Sequence, residues 1–179
     1  MKSKIVLFAV GSLLAVLALI FFTTFSGKNA PVDSAGNGVT APLFSLTTPS
    51  GEKIHLADFR GKVIILDFWA TWCPPCQEGI PHLNQLYREY RKDGLVVIGI
   101  SLDRGGPEEV RRFLDQKGVE YINVMGNEEV FQAYSGLPGL GKIQGIPTAF
   151  IVDREGRVHK KFVGLIPKQT LEAAIKPIL

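Results

Sequence analysis

The spacing of hydrophobic positions changes along the chain, and the changes mark its elements. Residues 62–68 (KVIILDF) and 95–100 (LVVIGI) are near-continuous apolar runs, the pattern of strands buried on both faces of a parallel sheet. Between them Ile80, Leu83, Leu86, Tyr87 and Tyr90 recur at helical spacing, with Arg88, Glu89, Arg91 and Lys92 largely on the other side, which gives a strand, helix, strand unit. A second helix is predicted over 107–116, with Pro107 in its first turn and Glu108 and Glu109 placed to complement the helix dipole. A short strand at 121–124 and a short helix at 128–134 follow. Residues 148–152 and 158–163 flank Asp153, Arg154, Glu155 and Gly156, which read as a hairpin turn. The last helix starts at Pro167 and gathers Leu171, Ala174, Ile175 and Ile178 on one face. Strands alternating with helices, then a hairpin and a helix, predict an α/β fold with a central mixed sheet flanked by helices.

Upstream of this pattern, residues 5–25 form an uncharged aliphatic and aromatic run behind the cationic start Met1-Lys2-Ser3-Lys4. At about 1.5 Å per residue such a run crosses a hydrocarbon core of roughly 30 Å. A cleaved signal peptide is the alternative, but its apolar region is usually about 7 to 15 residues and ends in an Ala-x-Ala-like site. Here the nearest candidate, ending at Ala30, is followed by Pro31. The expectation is therefore a retained anchor over 1–25, with the positive flank inside and the rest of the chain outside the cytoplasm. Residues 26–40, rich in Gly, Ser, Asn and Pro, read as a flexible tether, and 41–179 as the folded domain.

Composition narrows the function. The 179 residues are 46% hydrophobic and 21% charged, which fits one globular domain and excludes a large multidomain enzyme and a disordered chain. The net charge is +3, and with Lys2 and Lys4 set aside the balance is close to neutral, so no nucleic-acid partner is indicated.

The chain has 2 cysteines, Cys73 and Cys76. They follow the first predicted strand and open the amphipathic helix, so Cys73 falls at a helix N-terminus, where free N–H groups and the helix dipole stabilise a thiolate. Pro74 and Pro75 between them stiffen the turn without removing an intrahelical hydrogen bond. Cys73 is then the attacking sulfur and Cys76, one turn on and pointing inward, the resolving one. As a staple the pair is weak, since so short a loop constrains little chain. As a structural zinc site it lacks ligands, the only other candidates being three scattered histidines. A helix-opening CxxC in a βαβ setting points to redox chemistry instead. His82 falls near the opposite face of the helix from Cys73, which disfavours a Cys-His hydrolase.

The stretch Asp67-Phe68-Trp69-Ala70-Thr71-Trp72-Cys73-Pro74-Pro75-Cys76 resembles the active site of the thioredoxin superfamily, Gly145-Ile146-Pro147-Thr148 resembles its cis-proline loop, and Pro81 matches the proline of its active-site helix. Ala41-Pro42-Leu43-Phe44-Ser45-Leu46, with Gly51, Leu56 and Gly61-Lys62-Val63, is similar to the TlpA/ResA-like branch of membrane-anchored, extracytoplasmic thiol-disulfide oxidoreductases. The resemblance implies a thioredoxin-like fold over 41–179 and no cofactor or metal beyond the thiols. It implies that Pro147 is cis beside the sulfurs, and that Trp72, Pro74, Pro75, Ile146 and Pro147 face substrate, with Ile146 offering its backbone to an extended strand.

Asp67, a carboxylate inside an apolar strand, is costly to ionise unless paired. A capped polar residue at a strand end is its plainer reading. Matched to the buried aspartate of thioredoxins, it takes part in proton exchange with Cys76, although many TlpA/ResA-like relatives carry Asn there. A second departure is Gly79, where relatives commonly have Glu; Glu78 lies one place earlier and reads as a solvated helix residue. Residues 135–145 read as a lengthened surface connector, with a substrate-facing lip as the alternative.

The activity so implied is a protein-disulfide reductase on the periplasmic side of a bacterial cytoplasmic membrane. Its partners would be disulfide-bearing exported proteins, with apocytochrome c before haem attachment as the leading substrate class, and an integral-membrane thiol carrier as electron donor. A copper chaperone is the alternative, since two thiolates suit Cu(I); only His159 is then available as a third ligand, and such chaperones resemble one another in CxxxC rather than CxxC. A thiol peroxidase would want Thr or Ser where Ala70 stands.

Overall fold

A computed structural model describes residues 32–35 and 38–179; the predicted anchor lies outside them, and among the described residues no helix is long and apolar enough to cross a membrane. The sheet has six strands: β1 (Val32–Ala35), β4 (Val63–Trp69), β5 (Leu95–Ser101), β6 (Ile122–Met125), β7 (Thr148–Val152) and β8 (Val158–Val163), in the order β1-β8-β7-β4-β5-β6. β4 pairs in parallel with β5, and β5 with β6, while β7 runs antiparallel to both β4 and β8. This is the mixed sheet that the sequence pattern predicts, in a thioredoxin-like arrangement. A separate hairpin, β2 (Ser45–Thr47) with β3 (Lys53–His55), has no counterpart in the sequence reading. Each of its strands buries a single apolar residue, Leu46 or Ile54, between exposed neighbours, and three residues carry no readable period. β1 lies within the segment read as a tether, where four residues instead pair antiparallel with β8. Ladder hydrogen bonds come from the main chain, so an edge strand can form without an apolar pattern.

Among the described residues four α-helices flank the sheet: α1 (Pro74–Tyr90), α2 (Pro107–Lys117), α3 (Glu128–Ser135) and α4 (Lys168–Ile175). Every residue of β4 is buried, because successive side chains enter two different cores. Ile64, Leu66 and Phe68 join Ile98, Ile100 and Phe150 against Val130 and Tyr134 of α3. Val63 and Ile65 join Val97 and Ile151 against Leu83 and Leu86 of α1 and Leu171 and Ile175 of α4. β4 is thus clamped from both sides, and the segment leaving its C-terminal end starts from a fixed point. Gly99 stands opposite Asp67 on β5. A Cβ there would lie 2.1 Å from Asn123 Oδ1 and 2.8 Å from Trp69 Nε1, so only glycine lets both side chains fold over the strand.

Candidate active site

The chain leaves β4 at Trp69 and turns into α1 through Ala70, Thr71 and Trp72. Thr71 is held from both sides. Its N–H and hydroxyl donate to the Asp103 carboxylate, the hydroxyl at 2.5 Å, and its carbonyl accepts from Gln77 Nε2 at 2.8 Å. Ser101 Oγ donates to the same carboxylate at 2.8 Å. The turn that delivers Trp72 and Cys73 is therefore tied to the end of β5 as well as to its own helix. Asp103 and Gln77 escape a sequence reading because Asp103 is distant along the chain and both are ordinary surface residue types.

Cys73 is the N-cap of α1, in extended backbone geometry, and Pro74 occupies the first turn. The two cysteines are joined in a disulfide with their Cα atoms 5.3 Å apart. The Cys76 N–H donates to Cys73 Sγ at 3.3 Å, and the first turn contains no acidic side chain. The positive end of the helix dipole thus acts on this sulfur with no acidic side chain of its own turn against it. Both sulfurs are recessed, Cys73 being 4% exposed, while Trp72 beside them is 66% exposed. Pro74 is exposed and Pro75 half-buried. Pro81 lies inside α1, which continues through it to Tyr90.

The Ile146–Pro147 peptide is cis. Cys73 Sγ lies 3.7 Å from the Ile146 carbonyl oxygen, so the loop before β7 meets the disulfide directly. Pro147 is buried, and its carbonyl accepts from the Gly164 N–H at 2.8 Å. Among the described residues Ile146 makes no backbone–backbone hydrogen bond, which leaves a short open edge beside the sulfur.

Asp67 follows Val63 and Ile65 onto the α1 face of β4, by the two-residue repeat of a strand. It is buried, and it lines a cavity of about 20 Å³ with Cys76, Leu83, Pro147 and Ala149. Burial pushes its pKa up to about 7. Asp67 and Cys76 are therefore gathered under one roof with Pro147. Glu78 is exposed, and Leu165 packs over Gly79, 3.6 Å from where a Cβ would stand. The ring of His82 reaches away to the Ile166 carbonyl, Nδ1 at 3.0 Å. Among the described residues no three His, Cys, Asp or Glu side chains gather in a way that could hold a metal ion.

On the other side of Trp72 a groove of about 640 Å³ opens between the loops that follow β5 and β6, lined by Leu102, Arg104, Gly126 and Phe131 among others. The 135–145 segment differs from the surface connector read from its glycines. Leu137, Leu140 and Ile143 are buried in the core on the α3 side of the sheet, so every third side chain plugs the fold and only the intervening residues face solvent.

The arrangement resembles known redox proteins over nearly all of its length. The AhpC/TSA family model matches residues 37–161. A thiol-disulfide oxidoreductase ResA of Bacillus thuringiensis is 32% identical over 99% of this chain and 99% of its own, and the ResA of Bacillus subtilis is 29% identical over 96% of this chain and 92% of its own. Among solved structures, a thiol:disulfide interchange protein of the thioredoxin family from Chlorobium tepidum superposes with a TM-score of 0.71 at 31% identity, covering 79% of this chain and 97% of the other.

Proposed function

Because the chain belongs to the AhpC/TSA family and is a thiol-disulfide oxidoreductase of the ResA-like kind, we propose that it works as a reductant of disulfides in exported polypeptides, apocytochrome c before haem attachment among them. The domain stands outside the cytoplasmic membrane of a bacterium, on an anchor formed by residues 1–25, and receives electrons from an integral-membrane thiol carrier. The observation that carries the reading is the placement of Cys73 at the N-terminus of α1, beside the open main chain of Ile146 and over the recessed Cys76.

In the dithiol form the helix N-terminus stabilises negative charge on the Cys73 sulfur. A substrate segment lies extended along Ile146, under Trp72 and against Pro74, Pro75 and Pro147, in the manner of an added strand. The Cys73 thiolate attacks one sulfur of the substrate disulfide, forming a mixed disulfide and releasing the other sulfur as a thiolate that takes up a proton. Asp67 accepts the proton of Cys76, whose thiolate then attacks Cys73 Sγ. The second substrate sulfur leaves and is protonated, so two substrate thiols form as Cys73 and Cys76 are oxidised to the disulfide. A dithiol donor reverses the last change and resets the site.

The direction of flow rests on what surrounds the pair. Its spacer is Pro-Pro, with no histidine to favour the thiolate, and the Asp67 carboxylate beneath opposes further negative charge. Both favour a potential nearer the thioredoxin end, about −270 mV, than the strongly oxidising end, about −120 mV. Equilibration against defined thiol buffers measures it. A value at the oxidising extreme, with ready oxidation of reduced peptides, would overturn the reductase assignment.

A further inference from the structure

Lys161, on β8, is 3% exposed, yet all its donors are used. Its Nζ donates to the carbonyl oxygens of Leu140 at 3.0 Å, Gly141 at 2.9 Å and Lys142 at 2.8 Å, and it stands 5.7 Å from the centre of the Phe150 ring. An ammonium has three protons and no acceptor, so three successive carbonyls satisfy it completely. No carboxylate pairs with it among the described residues. Burial pushes its pKa down. A cation desolvated to hold one turn of backbone, with no counter-charge, acts on the geometry of that turn.

The turn belongs to the 135–145 segment, which is tied at two further points. Near its root the Ile143 N–H donates to Ser135 Oγ at 3.0 Å, and at its exit Thr148 Oγ1 donates to the Gly145 carbonyl at 2.6 Å. From Lys142 the chain runs through Ile143 and the exposed Gln144 and Gly145 into Ile146, whose carbonyl touches the Cys73 sulfur. The segment is a wall behind the open main chain, and Lys161 is the fastener at its middle.

We propose that Lys161 is a positioning residue for polypeptide substrates, fixing the 140–142 turn so that Ile146 presents its main chain at the right height beside Cys73. This rests on the reading that substrate docks as a strand along Ile146. The sulfur chemistry, governed by α1 and Asp67, does not pass through Lys161, so the two effects separate. Small disulfides need only the sulfur; an extended peptide needs the wall as well.

The test uses the full-length chain in detergent, reduced beforehand, and follows its oxidation by two probes. One is a short synthetic peptide holding a Cys-x-x-Cys disulfide, and the other is 5,5′-dithiobis(2-nitrobenzoate). Lys161→Met should slow the peptide reaction roughly tenfold or more, the scale expected when docking shifts by a fraction of an ångström. The small-disulfide rate and the reduction potential should stay unchanged, and Lys161→Arg should recover part of the loss. Ser135→Ala removes a separate tie of the same segment and should give the same selective pattern more weakly; it decides the matter if Lys161→Met does not fold. Equal peptide rates in wild type and variants, or parallel losses with both probes, would overturn the proposal. N-methylation of the peptide backbone beside its cysteine tests the docking reading itself. If wild type is insensitive to it, that reading fails and the proposal falls with it; if wild type is sensitive and the variants match wild type, the proposal alone fails.

Discussion

Asp67 and Cys76 line one cavity of about 20 Å³, room for about one water molecule, and burial pushes the carboxyl up to about 7. The acid therefore costs the fold stability wherever an unfolded chain would ionise it. Its folded pKa lies above the ordinary value of 3.8, so the native state is least penalised below about pH 4. The penalty grows as pH rises from there to about 7 and is constant above. Asp67→Asn should stabilise the oxidised protein at pH 8 by a few kcal/mol, and the gain should vanish near pH 4. Urea unfolding at a series of pH values measures this, and a gain that does not change with pH would place the carboxyl in contact with water. The same variant should slow release of substrate from the mixed disulfide.

Cys76→Ala should accumulate mixed disulfides between Cys73 and substrate polypeptides, visible on non-reducing gels and cleared by dithiothreitol. Cys73→Ala should accumulate none, because Cys73 is the sulfur at the helix N-cap and beside the Ile146 main chain. Trapping by Cys73→Ala alone would reverse the two roles.

Asp103→Ala should destabilise the protein by roughly 1–3 kcal/mol, the usual cost of leaving buried donors without a partner, since it abandons the Thr71 N–H, the Thr71 hydroxyl and Ser101 Oγ. Thr71→Val, which removes one donor and keeps the N–H pairing, should cost less. Denaturant titration of both variants checks the order.

Full-length protein should stay in the membrane pellet after a carbonate wash, and a protease added outside the cytoplasm should degrade the domain. A soluble form beginning near residue 28 would show cleavage in place of anchoring.

The sheet was legible wherever packing imposed a long apolar run. The predicted 62–68 and 95–100 are the observed Val63–Trp69 and Leu95–Ser101, and the helix predicted over 107–116 is Pro107–Lys117. The cysteine pair was legible because its chemistry and its place at a helix start are both local. Asp103 and Lys161 were not. Asp103 acts across a gap in the chain, through a bond to one residue of the active-site turn. Lys161 sits in Val-His-Lys-Lys-Phe-Val, which reads only as one arm of a hairpin, and only the three-dimensional course of 140–142 reveals that its charge points inward. Hydrophobic period identifies which residues a fold buries for apolar reasons; it is silent on a polar residue buried to hold a backbone.

The recess of Cys73, 4% exposed and packed with Ile146, bears on which disulfides the proposed reaction can serve. A bond locked inside a finished protein cannot be threaded down to such a sulfur, whereas a slack, extended segment can. Partners would then be sorted by their stage of maturation, with recently exported chains admitted and completed ones left intact. A reductant working among proteins that depend on their disulfides would thereby spare its neighbours through the shape of its own entrance.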